Sequence, residues 1–345
     1  MLYAHPKGRE PFDRTLHFPL ARSNFVKVLI TGGAGFIASH IADAFIERGY
    51  EVVILDNLSS GQMENLNPKA EFVHGDITDA KLVQSLFRKH TFDIINHHAA
   101  QLDVRKSVTD PVFDCTTNII GTLNLLEAAR EQGKLKRFMF ASTGGAIYGE
   151  QDYFPADEQH PTRPISPYGV AKRSVELYLH YYEQVQSMKY VSFRYTNVYG
   201  PRQSPHGEAG VVAIFTEKLL DGDECTINGD GTQTRDYIYV GDLVRAHMLA
   251  LDKLQGSDIF NVCTGIETNV NQIFEELSEH TTGGAAKPRH IDAKAGEQQR
   301  SVCSYEHIQR VLGWKPEINL KEGLRETVEF FKRKHGISTN GMSAA

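Results

Sequence analysis

Short apolar runs alternate with segments of helical spacing through the first two thirds of this 345-residue chain. The apolar runs are rich in β-branched residues and predict buried strands; they are FVKVLI (25–30), EVVILD (51–56), EFVHGD (71–76), FDIINHHAA (92–100), RFMFAS (137–142) and YVSFRYTNVYG (190–200). Segments such as SHIADAFIERGY and NIIGTLNLLEAAREQG lie between them, with apolar residues three and four apart. Strands that alternate with helices predict an α/β protein with a doubly wound parallel sheet.

The pattern changes after Gly200, where connections rich in glycine, proline and aspartate precede the helical segments VNQIFEELSEH and LKEGLRETVEFFKRK. This change predicts a smaller C-terminal α/β domain. We assign residues 24–199 and a returning segment at about 236–265 to the larger domain, and residues 200–235 and 266–335 to the smaller one. We expect residues 1–23 and 336–345 to be disordered.

The charge and composition of the chain limit the kinds of binding partner that we expect. The formal net charge of -6 gives no reason to expect nucleic acid or an anionic membrane, because both favour a basic surface. The four cysteines are far apart and form no CxxC pair, so we predict neither a disulfide framework nor a zinc site. The sequence lacks an apolar run of about 18 residues and the apolar centre of a signal peptide. We therefore expect a cytoplasmic protein.

A glycine-rich turn follows the first predicted strand in KVLITGGAGFIASH. Gly32, Gly33 and Gly35 allow a tight turn and let backbone N–H groups approach a pyrophosphate at a helix N-terminus, and Ala38 allows close packing of that helix. The second strand ends at Asp56, where a carboxylate bonds the adenosine ribose and repels a 2′-phosphate. NAD is therefore favoured over NADP, with capping of a loop as the alternative role of Asp56.

Two other strand ends have more than one interpretation. Asp76, in GDI after the third strand, either lies beside the adenine or caps its own loop. His97 and His98 are adjacent on a strand and point to opposite faces, so we expect one in the core and the other near the cofactor. We predict no metal site.

The segment SPYGVAKRSVE places Tyr168 and Lys172 one helical turn apart on one face. An ammonium near a phenol lowers the phenol pKa from about 10 and allows proton exchange near neutral pH. The same spacing occurs at Tyr3 and Lys7, where Pro6 interrupts it, so the spacing is not diagnostic. Tyr168 follows the nucleotide-binding half of the sheet and precedes an amphipathic helix, and this context makes Tyr168 and Lys172 the predicted catalytic pair.

Eight segments in order make the chain resemble the extended short-chain dehydrogenases/reductases that act on nucleotide sugars. They are TGGAGFIASH, Asp56-Asn57, HHAAQLDVRKSV, NIIGTLNLLEAA, ASTGGAIYG, SPYGVAK, RYTNVYGPRQ and GDGTQTRDYIYVGDL, and the resemblance covers about residues 25–334. The chain is most similar to the UDP-glucose 4-epimerases. That resemblance implies a Rossmann domain with NAD, which takes hydride from C4 of the sugar while Tyr168 takes the hydroxyl proton. The 4-keto sugar then rotates, and hydride returns to its opposite face.

The resemblance also implies roles for individual residues. Its cofactor contacts are Gly32, Gly35, Phe36, Ile37, Asp56, Asn57, Asp76, Ile77, Ala99, Ala100, Gln101, Asn118, Tyr168, Lys172 and Tyr195. Its substrate contacts are Thr143, Tyr168, Asn197, Arg235, Lys294, Glu297, Arg300 and Ser301. A helix N-cap is the alternative role of Asn118. Lys294 stands where the family usually has arginine, and Arg300 is the candidate to replace that phosphate contact.

The segment ASTGGAIYG separates the related reactions. The family's 4,6-dehydratases carry an Asp-Glu pair at the positions of Gly145 and Ala146, and its decarboxylases carry a glutamate at the second. Neither residue present here transfers a proton, which favours epimerisation. The hydroxyl that bonds the sugar O4 in many epimerases corresponds to Gly144, so we assign this role to Thr143, with Ser142 as the alternative because neighbouring strand residues point to opposite faces.

The sequence gives less information about the sugar of the substrate and about the oligomeric state. Ser301 stands where some relatives have a bulky tyrosine, which suggests that N-acetylated UDP-hexoses also fit. A UDP-glucuronate 4-epimerase is an alternative, and a non-catalytic NAD-binding regulator is a further one, disfavoured because Tyr168 and Lys172 are both present. The family commonly forms homodimers through the helices that begin near Asn118 and Tyr168, and a buried face within the chain would show the same apolar pattern.

Overall fold

The computed structural model describes residues 26–206, 210–293 and 298–337. The predicted disorder of residues 1–23 and of the tail from residue 338 falls outside this part of the chain. The same is true of two predicted substrate contacts, Lys294 and Glu297.

Strands and helices alternate in the described residues. The strands are β1 (Lys27–Thr31), β2 (Glu51–Asp56), β3 (Glu71–His74), β4 (Ile94–His97), β5 (Arg137–Thr143), β6 (Tyr190–Tyr195), β7 (Asn197–Tyr199), β8 (Thr226–Asn228), β9 (Thr234–Tyr239), β10 (Asp258–Val262), β11 (Glu267–Asn269), β12 (Arg289–Ile291) and β13 (Arg300–Ser301). The helices are α1 (Phe36–Glu47), α2 (Ala80–Lys89), α3 (Val104–Thr109), α4 (Pro111–Cys115), α5 (Gly121–Gln132), α6 (Pro167–Gln186), α7 (Val211–Asp221), α8 (Val240–Lys253), α9 (Val270–Thr282), α10 (Glu306–Leu312) and α11 (Leu320–Lys334). A 3-10 turn spans Met63–Asn65, and a π-helical segment spans Thr116–Ile120.

Seven strands form a parallel sheet in the order β10-β6-β5-β4-β1-β2-β3, which confirms the predicted fold class. The chain moves from β1 to one edge through β2 and β3, and then crosses to the other side of β1 to form β4. Such a reversal leaves a crevice at the carboxyl ends of the strands, between β1 and β4, where doubly wound folds bind their ligands.

Both faces of this sheet are covered. Alternate strand residues point to opposite faces, so Val28 and Ile30 pack with α1 and α8, whereas Leu29 packs with α2, α5 and α6. Burial on both sides explains why these strands are nearly continuous apolar runs in the sequence. In the described residues no helix is both long and apolar enough to cross a membrane. All four cysteines are free.

A smaller sheet contains β11, β9 and β13, with β7 paired to β9, and packs against α7, α9 and α11. The apolar run predicted as one strand over 190–200 is divided at Thr196, so that β6 lies in the large sheet and β7 in the small one. The predicted returning segment, 236–265, contains α8 and β10, which belong with the large sheet, but it begins within β9 of the small sheet.

One buried carboxylate joins the two sheets. Asp236 of β9 accepts hydrogen bonds from the backbone N–H of Thr264 at 2.8 Å and of Gly265 at 2.9 Å. The Thr264 and Thr196 hydroxyls donate to it at 2.7 and 3.4 Å. Thr196 and Thr264 are the points at which the chain leaves the large sheet, so both crossings are attached to one side chain.

Candidate active site

The glycine-rich turn after β1 has the geometry that the sequence predicts. Gly32 has φ of +70°, and a Cβ there would lie 2.7 Å from the backbone nitrogen of Ala99. Gly35 is the N-cap of α1, which has no capping side chain and no acidic residue in its first turn. The N–H groups at the start of this helix, including those of Phe36 and Ile37, therefore form a site suited to an anion.

Asp56 shapes the loop that follows β2. Its Oδ2 accepts from the backbone N–H of Ala34 at 3.0 Å, and its Oδ1 accepts from that of Leu58 at 2.7 Å. The loop-capping role considered for Asp56 is therefore present. A carboxylate has about four acceptor sites, so these two bonds leave acceptor capacity for ribose hydroxyls.

Asp76 also caps its own loop. Its Oδ1 accepts from the backbone N–H of Thr78 at 2.8 Å and from the Thr78 hydroxyl at 2.7 Å. Its Oδ2 accepts from Asn57 Nδ2 at 2.7 Å, which joins the loops after β2 and β3. Asp56 and Asp76 thus stabilise the loops at the edge of the sheet where the adenine is predicted to lie.

Tyr168 and Lys172 lie on one face of α6, next to the end of β5. The helix begins at Pro167 and is capped by Ser166, whose hydroxyl oxygen accepts from the Gly169 N–H at 3.2 Å. Tyr168 is thus in the first turn, where the helix dipole favours a negative charge. The Lys172 ammonium lies 5.6 Å from the centroid of the Tyr168 ring and donates to the carbonyl oxygen of Ala141 at 2.7 Å.

The proton affinities of this pair differ from the sequence-based expectation. Burial, with a contribution from the charge of Asp114, raises the pKa of Tyr168 above its usual value of 10. The prediction that Lys172 lowers this pKa is therefore wrong for the protein without a ligand, because burial outweighs an ammonium held at the Ala141 carbonyl. Burial lowers the pKa of Lys172 itself to about 8.

The two candidate hydroxyls at the end of β5 have different environments. Ser142 Oγ donates to Glu176 Oε1 at 2.8 Å, and the same carboxylate forms a buried ion pair with Arg194 at 2.8 Å. Thr143 Oγ1 accepts from the backbone N–H of Ala146 at 3.2 Å, which leaves its own proton to donate. The hydroxyl of Ser142 is thus engaged in the protein interior, and that of Thr143 is not.

The two glycines that follow Thr143 differ in the space around them. A Cβ at Gly144 would lie 3.2 Å from Cys303 Sγ and 3.4 Å from the carbonyl oxygens of Arg194 and Tyr195. A side chain at this position would have to displace Cys303. At Gly145 the nearest atom to such a Cβ is Thr143 Oγ1, 3.9 Å away, so the space beside that hydroxyl is open.

Asn118 lies inside a continuous helical stretch, in the π-helical segment between α4 and α5, so the N-cap alternative is wrong. Its Oδ1 accepts from the backbone N–H of Gln101 at 2.8 Å, and its Nδ2 donates to the Gln101 carbonyl at 2.9 Å. π-Helical turns frequently occur at functional sites. Here the turn holds the loop after β4 against the catalytic helix.

The two adjacent histidines point to opposite faces, as predicted. His97 lies in the core between the hydroxyls of Thr31 and Thr122, at 2.6 and 2.8 Å. His98 Nε2 lies 3.1 Å from the hydroxyl of Tyr195, a predicted cofactor contact. Across residues 26–206, 210–293 and 298–337, no three metal-binding side chains are grouped closely enough to hold an ion.

Besides Thr143 and Tyr168, four predicted substrate contacts lie in the described residues, on neighbouring strands of the small sheet. Asn197 is on β7 and Arg235 is on β9, which pairs with β7; Ser301 is on β13, in register with Arg235. Arg300 forms a bidentate ion pair with Glu267, at 2.5 and 3.0 Å. This pair uses two of the five N–H donors of the guanidinium, and the phosphate contact assigned to Arg300 stays a prediction.

Sequence reasoning missed one residue near the catalytic pair, Asp114 of α4. Its side chain is only 1% exposed and accepts from the side-chain amides of Gln101 and Asn118, at 2.9 and 3.0 Å. The available signal was its position four residues before Asn118, which places both on one helical face. No segment that carries the family resemblance includes it.

Three solved structures illustrate what the chain is similar to. The UDP-glucose 4-epimerase of Thermotoga maritima, solved with UDP-glucose, is 48% identical with a TM-score of 0.87, and the match covers 90% of this chain and all of that one. The Thermus thermophilus UDP-glucose 4-epimerase, solved with NAD, is 43% identical with a TM-score of 0.83 over 89% of this chain and 99% of that one. A UDP-N-acetylglucosamine 4-epimerase of Methanobrevibacter ruminantium is 34% identical with a TM-score of 0.84, covering 90% and 99%. The NAD dependent epimerase/dehydratase family matches residues 28–263, and the chain belongs to this family.

Proposed function

We propose that the protein is an NAD-dependent UDP-hexose 4-epimerase that interconverts UDP-glucose and UDP-galactose through a 4-keto intermediate. One observation carries the proposal. At the end of β5 the structure presents a hydroxyl and a phenol, Thr143 and Tyr168, and the places of the dehydratase carboxylates are taken by Gly145 and Ala146. A single proton-transfer group is sufficient for epimerisation, whereas elimination of water requires an additional acid and base.

The residues present fit NAD. The glycine turn, the uncapped N-terminus of α1 and the acceptor capacity of Asp56 match a pyrophosphate and a ribose without a 2′-phosphate. Bound NAD would supply a hydride acceptor and a formal positive charge at its nicotinamide ring. Lys172 is in position to hold the nicotinamide ribose while its ammonium is bonded to the Ala141 carbonyl.

Tyr168 acts as the base and then as the acid in this proposal. Its phenolate takes the proton of the C4 hydroxyl and becomes a phenol, and this phenol returns the proton to O4 after the sugar has turned. Two features counter the burial that raises its pKa: its place in the first turn of α6, and the positive charges of Lys172 and of the oxidised cofactor. Thr143 donates to O4, and the open space at Gly145 gives the ring room to turn.

N-acetylated substrates belong to the same proposal. Ser301 is small and lies on β13 beside Arg235, so the sugar's C2 substituent meets a short side chain in this assignment. The similar Methanobrevibacter ruminantium protein is a UDP-N-acetylglucosamine 4-epimerase, which supports the extension.

The test is to incubate the purified protein, without added NAD, with UDP-galactose, UDP-N-acetylgalactosamine and UDP-galacturonate separately. We expect the C4 epimer of the first, at a high rate, and of the second, detected by NMR of the sugar H4. Products that have lost water or carbon dioxide would contradict the proposed reaction. Turnover of UDP-galacturonate alone would make the protein a glucuronate epimerase.

We further propose that a second copy of the chain covers the outer face of α3, α4 and α6. These three helices pack together, and several apolar side chains on them are exposed. They are Val104, Val108, Val112, Phe113, Val170, Leu177, Tyr178, Tyr181 and Val185. Exposed apolar side chains on helices that pack together favour an interface over a free surface. Leu177→Asp should convert a dimer to a monomer in light scattering, whereas Val311→Asp, on α10, should not; a wild-type monomer would refute the proposal.

A further inference from the structure

Asp114 is a buried carboxylate without an ion-pair partner in the described part of the chain. Its two hydrogen bonds, from Gln101 Nε2 at 2.9 Å and Asn118 Nδ2 at 3.0 Å, both end at Oδ1. Neutral amides compensate a buried charge only in part, and a carboxylate buried to this degree ordinarily has a cation beside it. An unpaired buried charge therefore needs a reason.

The cation on which Asp114 acts is the catalytic lysine. Helix α4, which carries Asp114, packs against α6, which carries Tyr168 and Lys172. Within the described residues, the positive charge of Lys172 lowers the pKa of Asp114, and the negative charge of Asp114 in turn raises the pKa values of Lys172 and Tyr168. The carboxylate and the catalytic pair thus form one electrostatic unit.

The other titratable groups that face this pair contribute little net charge. They are Glu176 on α6, His97 and His98 at the end of β4, and Tyr195 on β6. Glu176 is already neutralised by ion pairs with Arg194 at 2.8 Å and Arg173 at 3.1 Å. Burial lowers the pKa of both histidines and so keeps them neutral, and burial raises the pKa of Tyr195. Asp114 is the one unpaired negative charge among these groups.

We propose that Asp114 is a positioning residue for the Tyr168–Lys172 pair, and that its charge keeps the Lys172 ammonium protonated and sets the pH range in which Tyr168 exchanges its proton. This role deepens the proposed epimerase function and rests on it. The hydrogen bonds from the side-chain amides of Gln101 and Asn118 to Asp114 have a structural effect as well. They fix these two residues, which bond each other, and so hold the loop after β4.

The sign of the effect follows from the charges. Burial lowers the pKa of Lys172 to about 8, even though the negative charge of Asp114 opposes that fall. The same charge raises the pKa of Tyr168. The active form requires both the Tyr168 phenolate and the Lys172 ammonium. Removing the charge of Asp114 lowers both pKa values, so both limbs of the pH profile move to lower pH.

The test is Asp114→Asn, measured as kcat/KM against pH with UDP-galactose. Asparagine retains the oxygen that accepts both amide bonds and loses only the charge, so the fold and the loop after β4 are preserved. We expect both limbs to move to lower pH by about 0.5 to 1 unit. Asp110→Asn removes a charge one turn earlier, at the exposed N-cap of α4, and should leave the profile in place.

A second measurement does not depend on turnover. The rate at which bound NAD is lost on dilution should begin to rise at a lower pH in Asp114→Asn than in the wild type, because Lys172 loses its proton earlier. If the wild type retained NAD but epimerised no UDP-sugar, the proposed function would fail while this comparison still tested Asp114. A pH profile and an NAD-loss profile that both coincide with those of the wild type would overturn the proposal, as would a loss of kcat at every pH with unchanged limbs.

Discussion

The edges of the large and the small sheet meet at the candidate active site, and they are held in place differently. At the large sheet, Lys172, Ser142 and Asn118 each form buried hydrogen bonds with fixed partners. At the small sheet, Arg235 bonds a neighbouring backbone carbonyl, and Arg300 is held by an ion pair that is partly exposed. The comparison indicates that the candidate catalytic groups of the large sheet are preorganised, whereas the predicted nucleotide contacts of the small sheet have partners that they can exchange.

The largest expected effect on kcat concerns the candidate catalytic groups beside the large sheet. Tyr168→Phe removes the proton-transfer group and leaves the ring, so we expect kcat to fall by about 10³-fold while NAD stays bound. Turnover by a coupled UDP-glucose assay and the nucleotide released on denaturation measure the two quantities. Full turnover in this variant would remove Tyr168 from the mechanism.

The next effect separates the two hydroxyls of β5. Thr143→Ala should lower kcat by about 100-fold because it removes a donor to O4, with little change in stability. Ser142→Ala should leave kcat nearly unchanged and lower the free energy of unfolding by about 1–3 kcal/mol, since Glu176 loses a buried donor. Steady-state kinetics and urea denaturation of both variants decide the assignment, and the reverse pattern would make Ser142 the active hydroxyl.

A third prediction concerns the contact between Gly144, which follows β5, and Cys303, which comes shortly after β13. Gly144→Ala should lower the free energy of unfolding by about 1–3 kcal/mol, because its methyl group would approach Cys303 Sγ at 3.2 Å. Adding Cys303→Ala should recover part of that loss, so that the double variant is more stable than the sum of the single changes predicts. If the changes in denaturation midpoint were additive, contact with Cys303 would not be the reason that position 144 requires glycine.

The smallest expected effect is on KM, and it tests whether Arg300 of the small sheet changes partners when substrate binds. Glu267→Gln weakens the partner of Arg300, so if the arginine changes partners on binding, KM for UDP-galactose should fall by about two- to threefold, as expected for an exposed ion pair. Glu224→Gln, which weakens the exposed pair with Arg289, is the matched control and should leave KM unchanged. An unchanged KM in both variants would contradict an exchange of partners by Arg300 on substrate binding.

Local patterns in the sequence were sufficient for the large sheet. Buried parallel strands are continuous apolar runs, and the glycine turn and the Tyr168–Lys172 spacing are contained in short segments, so the fold class and the shared helical face of Tyr168 and Lys172 were predictable. The raised pKa of Tyr168 was not, because it depends on burial by residues distant in the chain. Asp114, the ion pair of Arg300 and the contact of Cys303 with Gly144 likewise depend on contacts that no local pattern encodes.

The bonds of Asp236 have a consequence for the alignment of the two halves. Because both chain crossings near the site are attached to this one carboxylate, a displacement of the small sheet must stretch several buried hydrogen bonds at once. These bonds restrict the distance between the strands of the small sheet and Tyr168. If these strands bind the nucleotide as we propose, a substitution at Asp236 would shift C4 of the sugar relative to Tyr168.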